Sequence, residues 1–190
     1  DSALEAIERI IKDKGLLDNK ILVIKLDEKM SVDRNLTGLI ANQLMAKYQR
    51  PVLLLNKTAL GWEGSGRGYD KSRFDNLREF LNESGLVMYA EGHANALGVG
   101  IQDEKFNTFI EFSNKALESF DFTPCYKVDF IFNGGDFKGK DIIEIAELKS
   151  IWGQGIDEPY VAIENVKISS ENIHLMSADK NPTLKISLPN

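Results

Sequence analysis

Two short stretches of this sequence carry residue types suited to holding an anion. The first is Gly64-Ser65-Gly66-Arg67-Gly68, preceded by Gly61-Trp62-Glu63. Closely spaced glycines let backbone amides approach a charged group without side-chain clash, and an Arg among them supplies a forked cationic donor matched to phosphate. The spacing is not that of a dinucleotide fold, because Gly64, Gly66 and Gly68 alternate and Tyr69 is not glycine. The second stretch is Glu91-Gly92-His93-Ala94-Asn95-Ala96-Leu97-Gly98. A His among Gly and Ala stands where backbone comes close to a ligand, and imidazole donates to phosphate or binds metal. A third stretch, Gly134 to Asp141, reads G-x-x-x-x-G-K-D after an apolar strand and before a helix. Asp141 replaces the hydroxyl residue that a P-loop uses for magnesium, so a Gly-Gly hairpin followed by a capped helix is preferred there.

Charge singles out the first stretch. Between Met45 and Arg73 stand Lys47, Arg50, Lys57, Arg67, Lys71 and Arg73 against only Glu63 and Asp70, while the rest holds 17 basic and 27 acidic residues. The net −6 over 190 residues argues against a generally basic nucleic-acid coat and yet hides one basic, Gly-rich segment. Trp62 and Tyr69 flank that segment and are candidates for base stacking as well as for core. Cys125, the lone cysteine, forbids an internal disulfide and reads as a small buried hydrophobe. With His93 and His174 far apart, a Cys-based metal site is excluded. No apolar run reaches the roughly 18 residues of a membrane span, and the first residues show no signal-peptide pattern, so a cytoplasmic protein is expected, with no membrane partner.

The elements that must position these residues follow from periodicity. Leu4, Ile7, Ile10 and Ile11 predict a helix over 3–14, stopped by Gly15. Ile21 to Leu26 and Val52 to Leu55 read as buried strands. Between them Leu36, Leu39, Ile40, Leu44 and Tyr48 predict a helix capped at Asp33 or Asn35 and stopped by Pro51. Strand, helix, strand predicts a parallel pair and an α/β core. Trp62 to Arg67 is a candidate third strand. A helix through Phe74, Leu77, Phe80 and Leu81 ends at Gly85, and Leu86–Tyr89 and Ala96–Ile101 read as strands about a turn at Glu91 to His93. Phe106, Phe109, Ile110, Phe112 and Leu117 mark a further helix. Beyond Cys125, Val128, Phe130 and Phe132 alternate as in a strand, Asp141 to Trp152 reads as a helix, and Tyr160 to Asn190 as three short strands. The first domain is expected to close near residue 125, and no Ser- or Pro-rich linker follows it.

Taken together the motifs resemble a known family. Gly64-Ser65-Gly66-Arg67, a helix, then Gly92-His93 with Ala96 and Gly98 close behind, is similar to the DHH-associated domain (DHHA1) of the DHH phosphoesterase superfamily. Asn35-Leu36-Thr37-Gly38-Leu39-Ile40-Ala41 and Tyr48-Gln49-Arg50-Pro51-Val52-Leu53-Leu54-Leu55 resemble the corresponding helix and strand of its RecJ-like branch. Trp152-Gly153-Gln154-Gly155-Ile156-Asp157-Glu158-Pro159 looks like the turn into the RecJ OB-fold domain. The resemblance implies an α/β fold, a DHHA1-like mixed sheet with flanking helices over 1–125, then a connecting hairpin and helix and a partial OB-like β segment over 126–190. It implies the substrate half of a 5′ to 3′ exonuclease specific for single-stranded DNA. Ser65, Gly66 and Arg67 would contact the terminal phosphate or backbone, as would Gly92, and His93 would assist at the cleft with the catalytic domain.

In the family that N-terminal DHH domain holds two manganese or magnesium ions. No Asp-His-His occurs in these 190 residues, so this chain is expected to bind no cofactor and to be inactive alone. Its partners would be single-stranded DNA and the missing DHH domain, with the OB-like part adding stacking and cations. Three positions depart from the family: Glu91 for the first Gly of Gly-Gly-His, Leu97 for Ala, and Gly68 where a Ser follows the Arg. They suggest a divergent, phage-type member or a changed substrate. The competing expectation is part of a phosphodiesterase acting on small nucleotides, an oligoribonucleotide or cyclic dinucleotide; a third is an accessory protein that only binds.

Overall fold

The computed structural model describes residues 2–153, 156–176 and 183–187. The chain divides into two compact units, Asp1–Cys125 and Tyr126–Asn190. The first holds helices α1 (Ser2–Asp13), α2 (Arg34–Tyr48), α3 (Leu77–Glu83) and α4 (Asp103–Ala116). Its strands are β1 (Leu22–Leu26), β2 (Val52–Thr58), β3 (Gly61–Arg67), β4 (Tyr89–Gly92) and β5 (Ala96–Ile101).

These strands form one mixed sheet in the order β1-β2-β3-β5-β4. β1 and β2 are parallel, joined by α2 as their apolar runs predict, and every other pairing is antiparallel. Alternation along the strands sends side chains to two cores. Leu53 and Leu55 of β2 join Leu97, Val99 and Ile101 of β5, Leu77 and Leu81 of α3, and Phe106 and Phe109 of α4 on one face. Val52 and Leu54 join Leu22, Ile24 and Leu26 of β1, Ile7 and Ile11 of α1, and Ile40 and Leu44 of α2 on the other. Each fully buried Leu or Ile contributes about 1.5–3 kcal/mol of hydrophobic stabilisation.

The helix stops are physical. Gly15 closes the turn after α1 in the left-handed region at φ 59°, and the Asp33 side chain caps α2 by accepting from the Asn35 amide. The apolar stripe of α2 differs from the spacing-based expectation: Leu36 and Leu39 are 49% and 57% exposed, and Thr37, Ile40, Ala41 and Leu44 are buried. The helix is turned so that Thr37 and Gly38 face β3. The fourth strand also lies later than expected. It runs through Glu91 and Gly92, because the hairpin closes by the His93 amide donating to the Ala96 carbonyl.

The second unit contains β6 (Phe130–Asn133), α5 (Gly139–Glu147), β7 (Val161–Glu164), β8 (Ile173–Met176) and β9 (Thr183–Ile186). The expected three short strands after Tyr160 are present. β8 and β9 pair antiparallel, but β6 and β7 are parallel across α5, so the Gly134-Gly135 turn is not a hairpin. Nor is α5 capped by a side chain. The P-loop likeness fails on donors. Gly134 N–H is bonded to the Glu164 carbonyl, Gly135 N–H to Asn133 Oδ1, and Asp136 N–H to the Asn133 carbonyl. An anion would find these amides occupied. Gln154 and Gly155 of the turn quoted for the OB-like segment lie outside the described residues. Those described form two separate two-stranded ladders, not a barrel.

Candidate functional site

β3 is a central strand, bonded to β2 on one side and β5 on the other. This decides what its glycines do. Gly66 faces the core, where an added Cβ would stand 3.1 Å from both Leu53 and Leu97 side chains. Its backbone is engaged in the ladder, so the glycine run is a packing device and no amide cradle. The alternate residues Glu63, Ser65 and Arg67 point to the opposite face, in cross-strand rows with Gly100, Gly98 and Ala96 of β5. The rows continue on β4 as Tyr89 beside Gly100 and Glu91 beside Gly98.

On this face α2 lies over β3. Thr37 Oγ1 donates to the Arg34 carbonyl at 2.8 Å, so the 2.8 Å contact between Thr37 and Ser65 has Ser65 donating. The Ser65 hydroxyl proton is thereby committed to the helix, leaving oxygen lone pairs toward the sheet surface. Arg67 lies against Gly38: a Cβ there would stand 2.5 Å from its Nη2. Its Nη1 donates to the Gly66 carbonyl at 2.7 Å. Partial burial lowers the Arg67 pKa and leaves it charged at neutral pH. α3 and α4 pack on the other face and α1 packs with β1 and β2. Among the described elements of this unit, β5 and β4 therefore carry no helix on this side. The result is an open groove, walled by α2, floored by Ala96, Gly98 and the Tyr89 side chain over Gly100, and edged by Glu91.

His93 reaches the same end of the sheet. Arg67 is the cross-strand partner of Ala96, whose carbonyl accepts from the His93 amide, which places the two residues about two strand spacings, ~10 Å, apart. The turn is clamped from α3, since Arg78 Nη1 donates to the Gly92 carbonyl at 2.6 Å and its amide to the Ala94 carbonyl at 2.9 Å. Gly92 sits at φ 128° with an added Cβ 2.8 Å from the Ala96 carbonyl oxygen, so no other residue fits there without strain. The backbones of Ser65, Arg67 and His93 thus lie toward one end of the sheet, and of the departures Gly68 acquires a reason. Glu91 lies on the groove in the row of Ser65. Gly68 leaves room for Asn95, whose Oδ1 accepts from the Leu77 amide and would be 2.0 Å from a Cβ at 68.

Other candidates disperse. Lys47 pairs with Glu8, Lys57 with Asp103, and Arg50 donates to the Leu17 and Asn19 carbonyls. The basic window is therefore no single patch: these three are held elsewhere in the fold, while Arg67 lies between β3 and α2. Tyr69 is 3% exposed and belongs to the core. Trp62 points to the opposite face, between the ammonium groups of Lys25 and Lys57 at 4.8 and 4.7 Å, with its indole N–H on Asp103. Cys125, expected to be buried, is exposed. Thr37, Gly38, Arg34 and Tyr89 escaped notice as site residues. The period-two alternation 63/65/67 against 96/98/100 is the signal that finds the shared face. Among the described residues no group of three or more His, Cys, Asp or Glu is placed to hold a metal ion. Among them, too, no helix is long and apolar enough to cross a membrane.

No family model matches the chain. By sequence it is 31% identical over 190 residues to YorK, named as an SPbeta prophage-derived single-strand DNA-specific exonuclease, of Bacillus subtilis. That match covers 97% of this chain and 33% of YorK. It is 26% identical over 129 residues to the single-stranded-DNA-specific exonuclease RecJ of Haemophilus influenzae, covering 64% of this chain and 22% of that one. The chain thus spans about a third or less of the curated relatives it matches. By fold it is similar to RecJ from Thermus thermophilus, crystallised with Mn2+, at a TM-score of 0.54 and 17% identity, over all of this chain and 28% of that one. The resemblance to RecJ-like exonucleases therefore holds: the chain is similar in sequence to YorK over nearly its whole length and to RecJ over about two thirds of it, and similar to RecJ in fold.

Proposed function

We propose that this RecJ-like chain is the nucleic-acid-binding portion of a 5′ to 3′ single-stranded DNA exonuclease. The groove over β5 takes the phosphate backbone or 5′ end of the strand. Arg67 supplies the cation, Ser65 and the Gly92-His93 turn line the path, and His93 assists at the cleft with a metal-holding catalytic part of the longer protein. Manganese or magnesium serves that part, not this one. Residues 1–125 act as the DHHA1-like substrate-binding domain and 126–190 as a connecting element and the beginning of an OB-like domain. Such a protein would work in the cytoplasm.

The observation that carries this reading is the seating of Arg67. Its guanidinium lies in a niche that Gly38 of α2 leaves open, beside the strand β5 that no described helix of this unit covers on that side, while Lys47, Arg50 and Lys57 are tied to partners within the fold. A cation held at an open groove suits a phosphate.

The test is anisotropy of a labelled single-stranded oligonucleotide across a salt series. Arg67→Ala is expected to weaken binding by about tenfold, the scale of a lost charge-assisted hydrogen bond. The slope of log K against log salt should fall by about 0.7, one single-strand phosphate contact. An unchanged affinity and slope overturns the role of Arg67. Competition by a cyclic dinucleotide at lower concentration than the oligonucleotide would favour a small-nucleotide phosphodiesterase instead.

A further inference from the structure

The groove contains an aromatic ring that phosphate binding does not use. Tyr89 starts on β4 and reaches across β5 to β3, where its hydroxyl donates to Glu63 Oε1 at 3.0 Å. Beneath it are glycines. An added Cβ at Gly100 would stand 2.6 Å from Tyr89 Cε1, and one at Gly98 would stand 3.9 Å from Cε2. Both ring edges over glycines, with the hydroxyl fixed beyond them, lay the ring flat on the sheet. One face of the ring therefore meets backbone, with Met88 Cε beside it over Gly100, and the other turns to the side of the sheet that no described helix of this unit covers at β5 and β4. The ring is only partly buried and lies opposite the core that Leu97 and Val99 enter.

We propose that the outward face of Tyr89 is a stacking platform for a nucleobase of the single strand bound in the groove. This rests on the reading of Arg67 above and adds to it a base contact. A π-face accepts any base, as an exonuclease without sequence preference requires. The bond to Glu63 holds the ring in place before the strand arrives, so little side-chain freedom is lost on binding. Along β5 the Tyr89 row and the Arg67 row are four residues apart, about 13 Å. Phosphate at one end and base at the other fit a single strand lying along β5.

The test uses the 190-residue chain with oligothymidylate and an abasic strand of the same length. Wild type is expected to bind oligothymidylate about tenfold more tightly. Tyr89→Leu should abolish that preference without changing abasic binding, and Tyr89→Phe should retain it. In wild type the Tyr89 ring protons should shift upfield with oligothymidylate and not with the abasic strand, a readout independent of any variant's folding. Equal affinity of wild type and Tyr89→Leu for oligothymidylate, or no ring shift, overturns the platform. If Arg67→Ala still loses affinity in that case, the phosphate reading stands. Failure of wild type to bind either strand overturns both.

Discussion

A phenol, a guanidinium and two hydroxyls set the chemistry of the groove, and each is held by one identifiable contact. Ser65 gives its proton to Thr37, whose own proton goes to the Arg34 carbonyl, so Ser65 meets a ligand as an acceptor unless the helix contact opens. Tyr89 is the residue whose state depends on pH. Burial first, and then its hydrogen bond to Glu63, push the phenol up to about 12 from the usual value near 10. The folded form therefore keeps a proton that the unfolded chain releases from about pH 10. This contribution to stability is fully present below about pH 10 and is lost as pH rises toward about 12. Denaturant midpoints should fall more steeply above pH 10 for wild type than for Tyr89→Phe. Identical slopes would show that the phenol is no more protected than in the unfolded chain.

At the scale of elements, the groove depends on how close α2 comes to β3. Gly38 permits that approach, and its replacement should separate stability from binding. Gly38→Ala in a helix interior gains about 1 kcal/mol of helix propensity. The new Cβ would stand 2.5 Å from Arg67 Nη2, and the flexible guanidinium must move away. The expected outcome is a thermal midpoint equal to or above wild type together with weaker oligonucleotide binding; a variant that loses neither affinity nor salt dependence would show that the niche is not needed. The sequence made the scaffold readable because Ile21–Ile24 and Val52–Leu55 are continuous apolar runs, which parallel strands buried on both faces require. The Gly64–Gly68 run was readable as special but not for the right reason. Adjacent residues of a strand face opposite sides, so Gly66 serves the core while Ser65 and Arg67 serve the groove. The same blindness to tertiary demand placed Leu36 and Leu39 in the core. Their spacing is helical, but α2 is turned by what Thr37 and Gly38 must meet. Tyr89 read as the end of a strand because nothing local reveals a ring laid over glycines of the neighbouring strand, with its anchor on the strand beyond.

At the scale of the molecule the two units differ in how they are held together. Asp1–Cys125 has a buried cluster on each face of its sheet. In Tyr126–Asn190 no described residue is fully buried, and Phe130, Ile131, Ile143, Leu148, Leu175 and Leu184 are among its exposed large apolar side chains. Two-stranded ladders are marginal in water without a covering layer, and a segment of this size needs a core to fold alone. The exposure of the described apolar residues beyond 125 was not legible, because an apolar strand looks the same whether or not something lies on it. The two units should therefore part experimentally. Residues 1–125 alone are expected to unfold cooperatively in denaturant, with the same Arg67-dependent oligonucleotide binding as the whole chain. Residues 126–190 alone should give no cooperative transition and should bind a dye that reports exposed apolar surface. A sigmoidal unfolding curve for 126–190, without dye binding, would mean that this unit buries a core of its own. Loss of binding by 1–125 would instead move the substrate contacts out of the groove and into the second unit.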